Sequence, residues 1–305
     1  MSDTSRLRRA VPSALRPAAK AVYYRLYRAQ LRLRFWWADR MGTPVREVRV
    51  PPAILRFRVM ESLSVEEFLR VGAGCADLVR QQFPDMWTEV GNGRRALDFG
   101  CGCGRTIRWF LAGGSEVEFH GVDVDAEAVE WCKGHLEGAQ FRATSPEPPL
   151  PYPAEYFDVV YCLSVFTHLN EQMQDGWLAE LHRVLKPGGA LLLTMYGETA
   201  SERLDAEGLR ELHARGMVHR RSKKLRGLVP EWYHTTFHTR EYMVKRLEEW
   251  FWDIRYRAVP GGEQDVVTMR KLLHQRGRLP GEIENPVGED AKEQRGRRGN
   301  EQRGA

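Results

Sequence analysis

No apolar run in the sequence approaches the roughly 18 residues that a membrane-spanning helix needs, which excludes a polytopic membrane protein. Arginine interrupts every apolar stretch near the N-terminus, so no signal-peptide core is expected. Cysteine is sparse. The five residues Cys75, Cys101, Cys103, Cys132 and Cys162 form no C-x-x-C pair and no even disulfide framework, and a reducing cytoplasm is the expected compartment. Cys101 and Cys103 at C-x-C spacing lack further clustered ligands, so no metal site is expected. No internal repeat is visible. What remains is an ordinary globular composition, 42% hydrophobic and 29% charged, in 305 residues. That length suggests one to two domains with ample core.

The body also lacks excess charge of one sign. Residues 1–40 hold ten Lys/Arg against Asp3 and Asp39, a local +8, while the whole chain carries +5. The rest is therefore close to neutral, and no basic stripe points to nucleic acid. Nor is there an Asn/Asp-Pro-Pro-aromatic run of the kind used on DNA amino groups. No nucleic-acid partner is expected.

The chain divides by texture. Residues 1–50 form a basic N-terminal arm, with 1–13 a flexible lead and a helix expected over Ala14–Trp37. In that helix Leu15, Ala19, Val22, Leu26, Ala29, Leu33 and Trp36 step by four and three, an apolar stripe. The expected arrangement packs the helix over the body with its Arg side in water. The alternative is membrane-surface contact through residues 14–37, at the inner face of the membrane. Residues 51–90 read as a helical lead-in or lid, with Ser64 and Glu67 forming a capping box for a helix over Val65–Phe83. Residues 91–272 alternate strands (Arg95–Phe99, Glu116–Val122, Phe157–Leu163, Ala190–Met195) and helices (Arg105–Ala112, Ala126–Leu136, Glu171–Leu185), which predicts a parallel sheet covered on both faces. An insertion over 198–238 carries charged helical stretches and an aromatic-histidine cluster, Trp232 to His238. A helix over Arg240–Trp250 capped by Thr239 follows, then a final strand pair, Phe251–Arg257 and Asp265–Arg270. Residues 273–305, rich in Gly, Glu and Arg, read as a disordered tail.

The strongest local signal is Asp98-Phe99-Gly100-Cys101-Gly102-Cys103-Gly104-Arg105, set between a strand and a helix. Glycine at every second position lets the backbone bend sharply and lets a ligand lie against it. The spacing is G-x-G-x-G, not the G-x-G-x-x-G of dinucleotide sites, and no Lys-Ser/Thr follows to make a P-loop. The next strand ends in Gly121-Val122-Asp123. An acid at that tip can accept both hydroxyls of an adenosine ribose. Asp125 reads as the cap of the following helix.

These residues, with Phe157-Asp158-Val159-Val160, Ser164-Val165-Phe166-Thr167-His168-Leu169 and Arg183-Val184-Leu185-Lys186-Pro187-Gly188-Gly189, resemble the class I S-adenosylmethionine-dependent methyltransferases, specifically the bacterial type 11/12 group. The resemblance covers about residues 51–272 and implies an α/β fold. Its core would be a Rossmann-like, doubly wound, mostly parallel sheet of the class I methyltransferase type, with an N-terminal helical extension and a helical or loop insertion over the pocket. It further implies S-adenosyl-L-methionine as cofactor and S-adenosyl-L-homocysteine as product. Asp98, Gly100, Gly102 and Gly104 would surround the methionine end, Asp123 the ribose, and the main chain of Leu163 and Ser164 the sulfonium and its amine. Where the family often has an acid near the adenine amine, this chain reads Arg142-Ala143-Thr144, leaving Thr144 or a main-chain carbonyl for that contact. Asp158 reads as a strand-positioning residue.

A sulfonium methyl needs no activation by protein, only alignment with its acceptor and exclusion of water. A base is required when the acceptor is a hydroxyl. The candidates are His168, His234 and His238. The expected function is in-line methyl transfer to a small-molecule, sugar or lipid-linked acceptor, at oxygen. The alternative is a non-catalytic adenosyl-ligand-binding or assembly module of the same fold. An NAD-dependent dehydrogenase would call for Tyr-x-x-x-Lys, and Tyr242 and Lys245 fall one residue short.

Overall fold

The computed structural model describes residues 16–41, 48–88, 93–112, 116–221, 234–259 and 263–273. The expected lead 1–13, the tail from residue 274 on, Gly91-Asn92, Trp232-Tyr233 and Gly261-Gly262 lie outside them. Helix α1 spans Arg16–Met41 and α2 Ala53–Met60. Helix α3, Val65–Gln82, starts as expected on Ser64, whose side chain accepts from the Glu67 N–H. The reciprocal half of the capping box is not formed, because the Glu67 carboxylate turns to the Ser62 hydroxyl instead. A short α4, Asp85–Thr88, leads into strand β1, Arg95–Phe99.

Helix α5 is only Arg108–Leu111, shorter than the expected Arg105–Ala112. The reason is local. Gly100, Gly102 and Gly104 all have positive φ, so the chain is still turning where a helix would begin. The Arg108 guanidinium then donates to the carbonyls of Gly104 (2.8 Å) and Cys103 (3.3 Å), replacing missing helical hydrogen bonds. Next come β2 (Glu118–Asp123), α6 (Ala126–His135, capped by Asp125 through Ala128 N–H), β3 (Ala139–Ala143) and β4 (Phe157–Cys162). They are followed by α7 (Glu171–Val184, capped by Asn170) and β5 (Leu185–Met195). β3 is an edge strand exposed on alternate residues, which weakens its apolar signal.

The sheet order is β3-β2-β1-β4-β5-β9-β8, parallel through β5. β8 (Trp252–Arg257) and β9 (Asp265–Arg270) are the expected final pair, with β9 antiparallel between β5 and β8. This is the expected doubly wound, mostly parallel sheet. β4 and β5 are buried almost throughout because helices cover both faces. Strand order reverses between β1 and β4, and a crevice opens at their C-terminal ends.

The insertion departs from the helical reading. After a 3-10 turn at Glu198–Arg203 and α8 (Ala206–Arg215), β6 (Met217–Arg221) and β7 (His234–His238) form an antiparallel pair, before α9 (Arg240–Leu247, capped by Thr239). Main-chain bonds help anchor it to the body, Thr236 N–H donating to Thr167 O (2.7 Å) and His238 N–H to Tyr196 O (2.9 Å), and the Thr236 hydroxyl donates to Leu169 O (2.8 Å). The Pro-rich loop before β4 is also tied down. Glu180 accepts from Leu150 N–H (2.6 Å) and from Arg183 (2.6 Å) while itself buried. Glu180→Ala strands both partners and is expected to lower unfolding free energy by about 2–4 kcal/mol, read from urea denaturation midpoints.

Candidate active site

The crevice is a cleft of about 1090 Å³, open solvent included, floored by residues 98–102, 105–106 and 122–125 and walled by Leu163–Val165 and His168–Leu169; Gly104, expected beside the methionine end, is not among its lining residues and packs toward Cys132 and Leu136. Its floor is built from the glycine bend. Gly100 and Cys101 N–H both donate to Val122 O (2.8 and 3.0 Å), folding the loop back on the tip of β2. A side chain has no room here. A Cβ on Gly100, at φ +83°, would lie 2.1 Å from Val165 Cγ2, and one on Gly102 would lie 2.5 Å from Val59 Cγ1. Gly100→Ala is therefore expected to weaken cofactor binding by about tenfold or more while the far-UV circular dichroism is kept. Isothermal titration with S-adenosylhomocysteine measures it.

Asp123 stitches this bend. Its Oδ2 accepts from Gly102 N–H (2.7 Å) and its Oδ1 from Asp125 N–H (2.8 Å). Burial raises its pKa to about 6 against the pull of those N–H donors. Each carboxylate oxygen keeps a further lone pair, so a vicinal diol in the cleft can still be held. Asp98 is 2% exposed, and its Oδ2 is buried without a hydrogen-bond partner. Burial pushes its pKa up to about 8, opposed chiefly by the positive Arg105. Tyr161 and the Ile107 N–H lie against this carboxyl, and its orphan oxygen, in a residue that lines the cleft, fits a cationic group such as the ammonium of the cofactor's methionine end. The cleft thus offers a cation acceptor, a glycine cradle and a diol acceptor in sequence, and S-adenosylmethionine fits all three.

The wall is held by a network centred on Gln264, a residue the sequence offered as a strand start with a pocket-facing role as the alternative. Ser164 has φ +65°, unusual for a non-glycine residue. Its N–H donates to Thr194 Oγ1 (2.8 Å), its hydroxyl to Gln264 Oε1 (3.0 Å), and its carbonyl accepts from Thr167. Thr194 Oγ1 donates to the same Gln264 oxygen (2.6 Å). Gln264 therefore sets the conformation of the main chain at Ser164. Leu163 and Ser164 line the cleft, and so does Thr144, whose N–H donates to Asp123 O (2.9 Å). Asp158 lies outside it, pairing with Arg95 N–H and Lys186.

The three histidines separate. His168 lines the cleft, and its Nδ1 donates to His234 O at 2.5 Å. That bond fixes the tautomer with the lone pair on Nε2. Burial lowers its pKa, which keeps the ring neutral at pH 7. His234 is not among the cleft residues. Its ring packs edge-on against His219 (5.0 Å), and it reaches the site through its carbonyl. His238 is fully buried, paired with Gln174 (2.9 Å) and stacked on Tyr242, with a pKa lowered to about 3 by burial. Four residues apart on β7, they fall on one face of the strand, and neither lines the cleft beside His168. The reading of His234 and His238 as bases is corrected on this ground. Cys101, Cys103 and Cys132 are buried with thiol pKa values raised by burial, hence inert packing groups. Among the described residues no group of three His, Cys, Asp or Glu could hold a metal ion.

The roof falls within the lead-in or lid read over residues 51–90. α2 lays Val59 over Gly102, and Arg58 bridges Asp125 (3.0 Å) and Glu127 (2.7 Å) at the mouth. Arg105 donates to Val59 O (2.9 Å), tying loop to roof. No motif marked these residues, because their partners lie 46–69 positions away.

The sheet order, the glycine bend and the two carboxylates define an S-adenosylmethionine-binding α/β domain. Residues 97–193, about a third of the chain, match the family model described as a methyltransferase domain, and the sheet order and curated relatives agree with a class I S-adenosylmethionine-dependent methyltransferase domain. One relative is the 27-O-demethylrifamycin SV methyltransferase of Amycolatopsis mediterranei, 33% identical over 137 residues, 41% of this chain and 48% of that one. Another is the demethylmenaquinone methyltransferase of Tropheryma whipplei, 28% identical over 162 residues, 52% of this chain and 61% of that one. The chain spans about a third to a half of the length of the first curated relatives it matches. Among solved structures, a Burkholderia thailandensis 1,6-didemethyltoxoflavin-N1-methyltransferase with bound S-adenosylhomocysteine is similar over 75% of this chain and 94% of that one, at 16% identity and TM-score 0.48.

Proposed function

We propose that the protein transfers a methyl group from S-adenosylmethionine to a hydroxyl oxygen of a small-molecule acceptor, whether a free, sugar-bearing or lipid-linked compound. The observation that carries this reading is that His168, held by its Nδ1 bond to the His234 carbonyl, lines the cleft. Bound cofactor supplies a methyl already activated by its positive sulfur. Asp98 and Asp123 orient the donor by its two ends. Val165, Leu169 and Met173 form an apolar wall around His168, suited to an apolar acceptor and to excluding water. His168 Nε2 would take the hydroxyl proton as the acceptor oxygen gains the methyl group, the bound donor supplying that methyl and keeping the bonding electrons as S-adenosylhomocysteine. The name of the Amycolatopsis relative, which places the methyl at a 27-O position, supports oxygen as acceptor atom.

The experiment is transfer of labelled methyl from S-adenosylmethionine to a panel of apolar hydroxy, carboxy and amino compounds. Label is expected on hydroxy compounds. Label on amines alone, or tight cofactor binding with no transfer to any compound, contradicts the proposal.

A further inference from the structure

The face by which α1 packs is the reverse of the one its sequence suggested. Leu31 and Phe35 are 3% and 7% exposed and pack with Tyr27 and Ala38 against Ala53 and Phe57 of α2. Asp39 accepts from Ala53 N–H (2.7 Å) and so ties the two helices end to end. The apolar stripe points away. Val22, Leu26, Leu33, Trp36 and Trp37 are 50–65% exposed, and Met41 at the helix end is 68% exposed. At 3.6 residues per turn the first five fall within a sector about 100° wide, opposite Leu31 and Phe35. Single exposed apolar side chains are ordinary, but a contiguous row of this kind is not.

The charges around that row choose among occupants. α1 contains seven Lys/Arg and one acid, Asp39, which is engaged with α2. Arg25 and Arg32 flank the stripe on one side and Arg34 on the other, all exposed. Arg40 lies over the Trp36 ring at 5.4 Å. A second copy of this helix would bring the same positive charge against it. An anionic surface with an apolar interior satisfies both features, the arginines at the headgroups and the tryptophans at the boundary with the acyl chains. No helix among the described residues is long and apolar enough to cross a membrane.

We propose that α1 docks the protein on an anionic lipid bilayer, lying in the interface with Val22, Leu26, Leu33, Trp36 and Trp37 inserted. This goes beyond the proposed methyl transfer and uses none of its residues. The packed face of α1 grips α2, and α2 carries Val59 and Arg58 to the cleft mouth. The docked helix therefore holds the cleft close to the lipid.

The test is co-sedimentation of the full chain with vesicles of phosphatidylcholine containing roughly 30 mol% phosphatidylglycerol, against phosphatidylcholine alone. Wild type is expected to partition at least about tenfold more strongly to the anionic vesicles, and less at high salt. The variant Leu33→Ser/Trp36→Ser/Trp37→Ser is expected to lose that binding about tenfold while its affinity for S-adenosylhomocysteine, measured by calorimetry, stays within about twofold. The retained affinity reports an intact fold. Equal partition to both vesicles, or unchanged binding by the triple variant, overturns the proposal. So does a dimer of wild type in sedimentation equilibrium that the triple variant abolishes, since the stripe is then covered by a second copy.

Discussion

Asp98→Asn is expected to weaken S-adenosylmethionine binding by roughly a hundredfold, about 3 kcal/mol, while raising the melting temperature of the protein without cofactor. Both effects come from one buried carboxyl. Its ordinary pKa of 3.8 is pushed up to about 8 by burial. The unfolded chain thus ionises this group near pH 4, and the folded chain only near pH 8. Between those values the unfolded state holds fewer protons, so this group makes stability fall as pH rises. Asparagine removes the penalty, and the stabilisation relative to wild type is expected to grow from pH 4 to pH 8. The same carboxyl must be ionised to hold an ammonium. Cofactor affinity of wild type is expected to rise by up to about tenfold per pH unit below pH 8, with proton release on binding, and Asp98→Asn to flatten that slope. Calorimetry in buffers of different ionisation enthalpy reads both. A variant that binds as tightly as wild type with the same pH slope contradicts the assignment of Asp98.

His168→Ala is expected to lower kcat by about a hundredfold or more on a hydroxyl acceptor, with cofactor affinity nearly unchanged. His234→Ala is expected to have a smaller effect, because its part in the site is a carbonyl that alanine retains. His238→Ala is expected to act on stability, since it strands Gln174 in the core. The lowered pKa of His168 predicts that kcat/KM for the acceptor, measured with S-adenosylmethionine saturating, rises with pH on a limb below its ordinary 6.5 and is flat above. The His168→Ala enzyme is expected to lack that limb. Steady-state rates across pH 4–9 for the three variants test this. Full turnover by His168→Ala shows that no imidazole base operates there.

What was legible in the sequence was local. The caps at Ser64, Asp125 and Thr239 form where short-range polarity placed them. The parallel strands around the glycine bend were marked by continuous apolar runs, and Asp123 by its place at a strand tip. What was not legible depends on long-range partners. β6 and β7 pair across residues 222–233, and their Met-Val-His and His-Thr-Thr-Phe-His patterns resemble no buried strand. Gln264 meets Ser164 a hundred positions away. The stripe on α1 pointed correctly to a helix and wrongly to its buried face, because periodicity identifies an apolar face but not what covers it. Phe35 and Leu31 form a second apolar face that the competing stripe concealed.

The central claim is that Asp98 and Asp123 hold opposite ends of one S-adenosyl ligand across the glycine bend. A crystal structure of the complex with S-adenosylhomocysteine tests it most directly. The account predicts the ligand's amine within about 3 Å of Asp98 and its two ribose hydroxyls within about 3 Å of the Asp123 carboxylate. A ligand bound elsewhere, or lying in the cleft with either carboxylate untouched, would contradict it.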